Sequence, residues 1–326
     1  MVLDGNDAAA LQLAAERLAA GDLVAMPTET VYGLAARADD DAAVAKIFAA
    51  KGRPANHPLI VHVTGADQVE RFAAEVPTVA RRLMDAFWPG PLTLILRRAE
   101  GVASAAAGGQ PSIGLRCPSH PVAQALLAAA QRLGVPGVAA PSANRFGRVS
   151  PTRAAHVVDE FGDDLLVLDG GACELGIESS IVDCTRGHPV LLRPGVVSRA
   201  RLDAAAGEPL REPDADAPRA SGTLAAHYAP NAKLRLMSQQ MLTSALQMLG
   251  EQPLKLAVYS RSLPLGAAQG VRHRRMPLRP DQAAQELFSV LREFDAEGAQ
   301  LIWVEEPPVD PEWDGVRDRL LRAAAS

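Results

Sequence analysis

Through residues 7–195 the apolar positions switch repeatedly between helical and strand spacing. Residues 7–20 follow the helical period, and DLVAMPTE (22–29) reads as a strand. Val44, Ile47 and Phe48 give i, i+3, i+4 spacing for a helix over 40–50, and PLIVHV (58–63) is a second strand. Helical stretches near 66–73 and 77–87 precede the strands GPLTLILR (90–97) and SIGLRCP (112–118) and a helix over 120–133. PGVAAPSAN (136–144) runs from strand into loop, before a helix at 152–161 and the strand LLVLDGG (165–171). SSIVDCT (179–185) and PVLLRPG (189–195), joined by RGH, predict a hairpin, so the sheet is expected to be mixed.

Periodicity stops at Ala206. Residues 207–231, GEPLREPDADAPRASGTLAAHYAPN, carry four prolines and no apolar period, which reads as a linker. Beyond it LKLAVYS (254–260) alternates through Leu254, Leu256 and Val258, and 281–296 is helical through Leu287, Leu291 and Phe294. AQLIWVEEP (299–307) is a strand, and 312–325 a closing helix. Such βαβ patterning predicts a small parallel α/β domain. The expected organisation is a catalytic domain over 1–206, a linker over 207–231 and a second domain over 232–326.

Composition narrows the function. The 326 residues are 48% hydrophobic and 22% charged, ordinary globular values with enough apolar material for a core. A net charge of −5 gives no global basic field, so any anion site must be local. No apolar run approaches the ~18 residues of a membrane span. The first residues are acidic and lack the basic region of a signal peptide. Cys117, Cys173 and Cys184 form no C-x-x-C pair, and Cys117-Pro-Ser-His120 has no second pair to complete a zinc site. They are read as buried thiols in a reducing, cytoplasmic protein, and no residue is assigned to a metal.

The chemistry gathers at strand ends. In KGRPANHPLIVHV (51–63) Lys51, Arg53 and His57 lead into an apolar strand that contains His62, which calls for a negative partner, because unpaired buried charge is costly. PTETVYG (27–33) places Thr28, Glu29, Thr30 and Tyr32 where a strand breaks into a loop. Arg116 lies within SIGLRCP; PSANRFGRVSPT (141–152) carries three hydroxyls, one amide and two arginines; Ser179, Ser180 and Arg193 follow. Each alone reads as capping or a solvated loop, but five together describe an anion-binding groove across a sheet. Phosphate loops, G-x-G-x-x-G and G-x-S-x-G are absent, and Gly108-Gly109 and Gly170-Gly171 read as turns. Lysine supplies a point charge and arginine a two-pronged grip, so Lys51, Arg53, Arg116 and Arg193 suit a phosphorylated ligand with a second acidic one.

In this order PTETVYGL, KGRP with HPLIVHV, WPGPLTLIL, IGLRCPSHP, PSAN, and SSIVD with LLRPG resemble the YrdC-like family of threonylcarbamoyl-AMP synthases, over nearly the whole chain. Lys-x-Arg at 51–53 and Ser-x-Asn at 142–144 are similar to its two active-site signatures. The linker ending HYAP (227–230) and the α/β tail are similar to its long, two-domain branch. Here SGTLAAHYAP lacks the family's Pro-Gly-Met portion, and His57 stands where many relatives have Asn. The resemblance implies an α/β fold: an N-terminal YrdC-like twisted mixed sheet with a concave basic groove, plus a smaller C-terminal Rossmann-like domain. It implies a nucleotidyltransferase that turns L-threonine, bicarbonate and ATP into L-threonylcarbamoyl-AMP, pyrophosphate and water. A downstream threonylcarbamoyl transferase complex then modifies the adenosine beside the anticodon, so tRNA is met only indirectly and no membrane is involved.

By matching motif positions, Lys51 and Arg53 are the catalytic, charge-neutralising pair. Arg53, His57, Ser112, Ser142, Asn144, Ser150 and Arg193 line the ATP side. Thr30, His62, Arg116, the Ala140 backbone and Ser180 hold threonine, with Arg116 on its carboxylate and His62 as a neutral hydrogen-bonding group. Glu29 either orients the groove or is structural. Mg2+ is expected to arrive with ATP, since no carboxylate cage is evident. The linker is expected to fold back over the groove with Tyr228 on the nucleotide, shielding a carbamate from water. Two other readings stay open: an enzyme forming a carbamoyl adenylate, and a non-catalytic RNA-binding module, which 4% aromatics and the negative charge disfavour.

Overall fold

The computed structural model describes residues 1–249, 255–263 and 271–326. They form two compact units, one of Met1–Phe146 with Ser150–Thr223 and one of Gly147–Val149 with Leu224–Ser326. In the first unit β1 (Val2–Asp4) and α1 (Ala8–Ala19) lead into β2 (Val24–Met26), β3 (Gly33–Arg37) and α2 (Asp41–Lys51). Then come β4 (Ile60–His62), α3 (Thr78–Phe87), β5 (Leu92–Arg97), β6 (Ser112–Arg116) and α4 (Pro121–Arg132). β7 (Val138–Ala139), α5 (Ala154–Phe161), β8 (Leu166–Asp169), β9 (Ser180–Asp183), β10 (Val190–Arg193) and α6 (Arg199–Ala206) complete it. The expected helix near 66–73 is a 3-10 turn over Ala66–Arg71.

All ten strands join one mixed sheet, ordered β1-β8-β2-β3-β7-β4-β6-β5-β9-β10. β4 runs parallel to β6, β5 parallel to β9, and β9–β10 is the expected antiparallel hairpin. Strand alternation sends Val61, Leu94, Leu115 and Val182 to one face, where they share a core with residues of α2, α3 and α6. The opposite face has two covers. Near β2, β7 and β8 it packs against α1 and α4 through Leu18, Leu126 and Leu127. Near β4, β5, β9 and β10, Ile60, Ile95, Ile181, Val190 and Leu192 pack against Ala217 and Ala220, which belong to the proline-rich segment.

That segment therefore has fixed contacts within the first unit, to which it belongs as far as Thr223. Arg211 bridges to Val190, the Arg186 guanidinium pairs with Asp214 at 2.7 Å, and Gln110 exchanges hydrogen bonds with Arg219. A proline-rich strip without a period of its own can lie on a sheet if its small residues meet apolar side chains and its polar groups find partners.

The second unit contains β11 (Lys233–Met237), α7 (Gln239–Met248), β12 (Leu256–Ser260), β13 (Arg272–Arg275), α8 (Pro280–Ala296), β14 (Leu301–Glu305) and α9 (Asp314–Ala324). Among its described residues, four strands are ordered β11-β14-β12-β13 and pair parallel throughout, as the βαβ pattern predicts. Leu254, the first position of the alternation read from LKLAVYS, lies outside the described residues. RHRR (272–275) has no apolar signal; it is a strand through pairing with β12, at a sheet edge where arginines deter further pairing.

Leu115 is fully buried at the centre of the larger sheet. Leu115→Ala should destabilise the first unit by about 3 kcal/mol in chemical denaturation, from lost burial plus an unfilled cavity. Met248→Ala, at an exposed helix end, should change stability by less than about 0.5 kcal/mol.

Candidate active site

The first cluster forms where α2 stops. Gly52 has φ +63°, a left-handed conformation that ends the helix at little cost only without a side chain, and the Arg53 N–H returns to the Phe48 carbonyl. Lys51 thus occupies the last helical position and is 3% exposed. Its ammonium donates to the carbonyls of Ser142, at 2.6 Å, and Asn144. The KGR and SAN motifs, far apart in sequence, are joined by that one nitrogen. Burial, reinforced by the Arg53 charge, holds the Lys51 ammonium well below the usual lysine range, against the opposing pull of Glu160 and Glu178.

Arg53 donates to the Pro58 carbonyl at 2.9 Å and reaches Ser221 Oγ at 3.5 Å. Its guanidinium lies 5.6 Å from the centre of the Phe146 ring, and His57 meets the same ring edge-on at 5.4 Å. Partial burial, then Arg53 and Arg219, lower the His57 pKa. Phe146 is the shelf for both groups. The sequence reading passed over it, although it is the one aromatic in PSANRFGRVSPT.

Arg193 reaches the sheet face through a bulge. Leu191 pairs with Val182, but Arg193 pairs with Ile181, so an extra residue turns the guanidinium to the face of Ile181. There it donates to the Ser179 carbonyl at 2.8 and 3.1 Å and to the Ser221 carbonyl at 2.8 Å. Ser179 Oγ is 2.8 Å from Thr93 Oγ1. Ser180 hydrogen-bonds the Val197 carbonyl, and a Cβ on Gly195 would come within 2.5 Å of its backbone nitrogen, so only glycine lets LLRPG pass so near. Ser150 donates to Glu178, a partner the sequence did not reveal. Asn144 donates to the Arg145 carbonyl at 2.7 Å, and Ser112 is buried at the start of β6.

A second cluster centres on Arg116. His62 and Arg116 are register partners on parallel β4 and β6, so their side chains emerge on one face, that of Ile60. Arg116 Nη2 lies 2.7 Å from Glu29 Oε1, both side chains almost wholly buried, and its Nε donates to the Gly90 carbonyl at 3.3 Å. Glu29 Oε2 accepts the Ser119 N–H at 3.2 Å. Burial, then the Arg116 charge, lowers the His62 pKa to about 3, so its imidazole is neutral at ordinary pH and a poor base. Thr30 Oγ1 is 2.8 Å from Thr28 Oγ1. The Ala140 N–H is committed to the Ile60 carbonyl at 3.0 Å.

Tyr228 belongs to the second unit. It is buried there, stacked on Phe288 at 5.5 Å, with Arg319 5.4 Å from its ring and His227 edge-on at 4.2 Å. Among the described residues no group of three or more His, Cys, Asp or Glu could hold a metal ion, and no helix is long and apolar enough to cross a membrane.

A mixed sheet with buried arginines in its strands and a desolvated lysine at the end of a neighbouring helix suits an enzyme that handles anionic substrates. The chain belongs to the Sua5/YciO/YrdC family: residues 16–195 match the family model, described as telomere recombination. Residues 196–325 match a second model, the C-terminal domain of threonylcarbamoyl-AMP synthase. The threonylcarbamoyl-AMP synthase of Pyrococcus abyssi is 36% identical over 90% of this chain and 88% of its own length. That of Bacillus subtilis is 34% identical over 99% of this chain and 94% of its own. The crystal structure of P. abyssi Sua5 complexed with L-threonine superposes with a TM-score of 0.87 at 34% identity, covering 96% of this chain and 94% of that one.

The lowered pKa of His62 has a measurable sign. Unfolded, an imidazole binds its proton as pH falls through about 6.5, whereas the folded His62 resists until about 3. Its contribution to stability is therefore lost progressively as pH falls across that window, by up to about 1.4 kcal/mol per pH unit, and is pH-independent above it. NMR titration should find the His62 ring neutral from pH 8 to about pH 5. His62→Gln should flatten the acid limb of the stability curve; a midpoint near 6.5 would contradict the assignment.

Proposed function

We propose that this chain is a threonylcarbamoyl-AMP synthase, an ATP-using transferase that makes L-threonylcarbamoyl-AMP, pyrophosphate and water from L-threonine, bicarbonate and ATP for tRNA modification. The names of its full-length relatives support the reaction. The observation that carries it here is that Lys51 bridges the two signature motifs while nearly stripped of water. Such an ammonium is poised to exchange backbone carbonyls for phosphate or carbamate oxygens.

The threonine amine attacks the carbon of bicarbonate, and loss of water leaves the carbamate. A carbamate oxygen then attacks the α-phosphorus of ATP, and pyrophosphate departs with the electrons of the broken P–O bond. Nucleophile and electrophile are both anionic, so the catalytic task is to hold them together and cancel their repulsion. In this reading Lys51 and Arg53 supply that charge, with His57, Ser112, Ser142, Asn144, Ser150 and Arg193 on the ATP side. Arg116 takes the threonine carboxylate, and Thr30, neutral His62, the Ala140 carbonyl and Ser180 surround the rest.

Mg2+ is carried by the triphosphate in this reading, and no step is assigned to the ion. Residues 1–206 form the catalytic domain, 207–231 the covering linker and 232–326 the tail domain. The contacts of Ser221 with Arg53 and Arg193 support a covering role for the part of this segment up to Thr223, since this reading assigns those two arginines to the phosphates. The protein works in the cytoplasm, upstream of a threonylcarbamoyl transferase.

The purified chain should release pyrophosphate from ATP only with threonine and bicarbonate both present. Equal release with carbamoyl phosphate replacing both would indicate a carbamoyl-adenylate enzyme instead. Lys51→Ala and Arg53→Ala should each lower the rate about a hundredfold, the loss of about 3 kcal/mol of transition-state stabilisation, with cooperative unfolding retained. Near-normal turnover in Lys51→Ala would remove it from the mechanism.

A further inference from the structure

We infer that Glu29 determines specificity: paired with Arg116, its carboxylate gives the amino-acid end of the site a charge balance that a zwitterion satisfies and a simple carboxylate does not. This rests on the reading that Arg116 receives the threonine carboxylate.

Glu29 is 3% exposed and Arg116 4%, with 2.7 Å between Oε1 and Nη2. Glu29 is held in place at three points. Its Oε2 accepts the Ser119 N–H, its backbone carbonyl accepts the Leu175 N–H at 2.8 Å, and the next residue is locked by the Thr28–Thr30 hydroxyl pair. Arg116 is fixed as firmly, with Nε on the Gly90 carbonyl. Neighbouring buried titratable groups contribute little charge: His62 is neutral, and burial raises the Cys117 thiol and pushes Cys173 up to about 12, while Asp67, whose charge also reaches Cys117, is exposed to solvent. The site therefore begins close to neutral, as one buried cation against one buried anion.

A carboxylate entering alone would meet an arginine that is already compensated and would leave a net negative charge away from water, which is costly. A zwitterion adds no net charge. Its carboxylate can share the guanidinium while its ammonium lies toward Glu29 Oε1, which makes no well-aligned hydrogen bond among the described residues. Arg116 alone would attract any small carboxylate; with Glu29 beside it, the ligand must also bring a positive charge. The amine that is to become the carbamate nitrogen is thereby required at binding, before any chemistry.

The test is calorimetric titration of the full chain near neutral pH with L-threonine and with (R)-3-hydroxybutanoate, which is threonine without its amine. The wild type should bind threonine and discriminate strongly against the deaminated acid. Glu29→Gln, which keeps the shape and the bond from Ser119, should weaken threonine by about tenfold or more while the deaminated acid binds as well as before or better. Glu29→Asp should keep the preference. A purely structural role would weaken both ligands together and leave their ratio unchanged, and that result overturns the inference. So does a wild type that binds both alike, whether or not the variants fold. Arg116→Ala separates the two levels: threonine binding that survives it defeats the underlying carboxylate assignment rather than the role of Glu29.

Discussion

Removing an ammonium group from water costs several kcal/mol unless its hydrogens find oxygens, and Lys51 meets that demand with the carbonyls of Ser142 and Asn144. Much of the site follows from this one constraint. The lysine must come from the last turn of α2, so the helix has to stop at Gly52. The acceptors must come from the loop after β7, so that loop has to pass beside the helix end. Phe146, whose N–H returns to the Lys51 carbonyl at 2.8 Å, is carried into position by the same junction and offers its ring to Arg53 and His57. An ammonium made this dry interacts more strongly with any anion that replaces those carbonyls, because little water remains to screen it.

The sheet divides labour between its faces. One is packed against helices with aliphatic side chains and supplies rigidity. The other changes cover along its width, from α1 and α4 to small residues of the proline-rich segment, and His62 and Arg116 emerge on that face from β4 and β6. Polar side chains persist there because each cation has a fixed acceptor: Glu29 for Arg116, the Ser179 carbonyl for Arg193, the Pro58 carbonyl for Arg53. The arginines are therefore oriented before any ligand arrives, which lowers the ordering cost of binding.

How far the chain could be read in advance follows from where its signals lie. The β9–β10 hairpin, the parallel tail and the cationic strand ends were legible because hydrophobic period and motif order are local. GLAAR (33–37) was missed as β3 because an alanine-rich stretch has weak strand preference and takes its conformation from β2 and β7. VLD (2–4), KLRLM (233–237) and RHRR (272–275) were missed for a similar reason: each is short, and its pairing rather than its composition defines it. The candidate site residues could be picked out by type but not by partner. That Arg116 faces Glu29, or that Ser150 faces Glu178, depends on strand register and loop course, which no spacing within one segment encodes.

The bulge in β10 carries a further consequence. Paired without it, Arg193 would stand opposite Ser180 and its guanidinium would turn toward the aliphatic layer under the helices. The sidedness of a single cation thus hangs on one surplus residue, Leu192, in a strand of four. β10 is better regarded as a hydrogen-bonded ratchet than as a length of sheet: advanced by one tooth, it would retain its backbone pairing and deliver its cation to the wrong side.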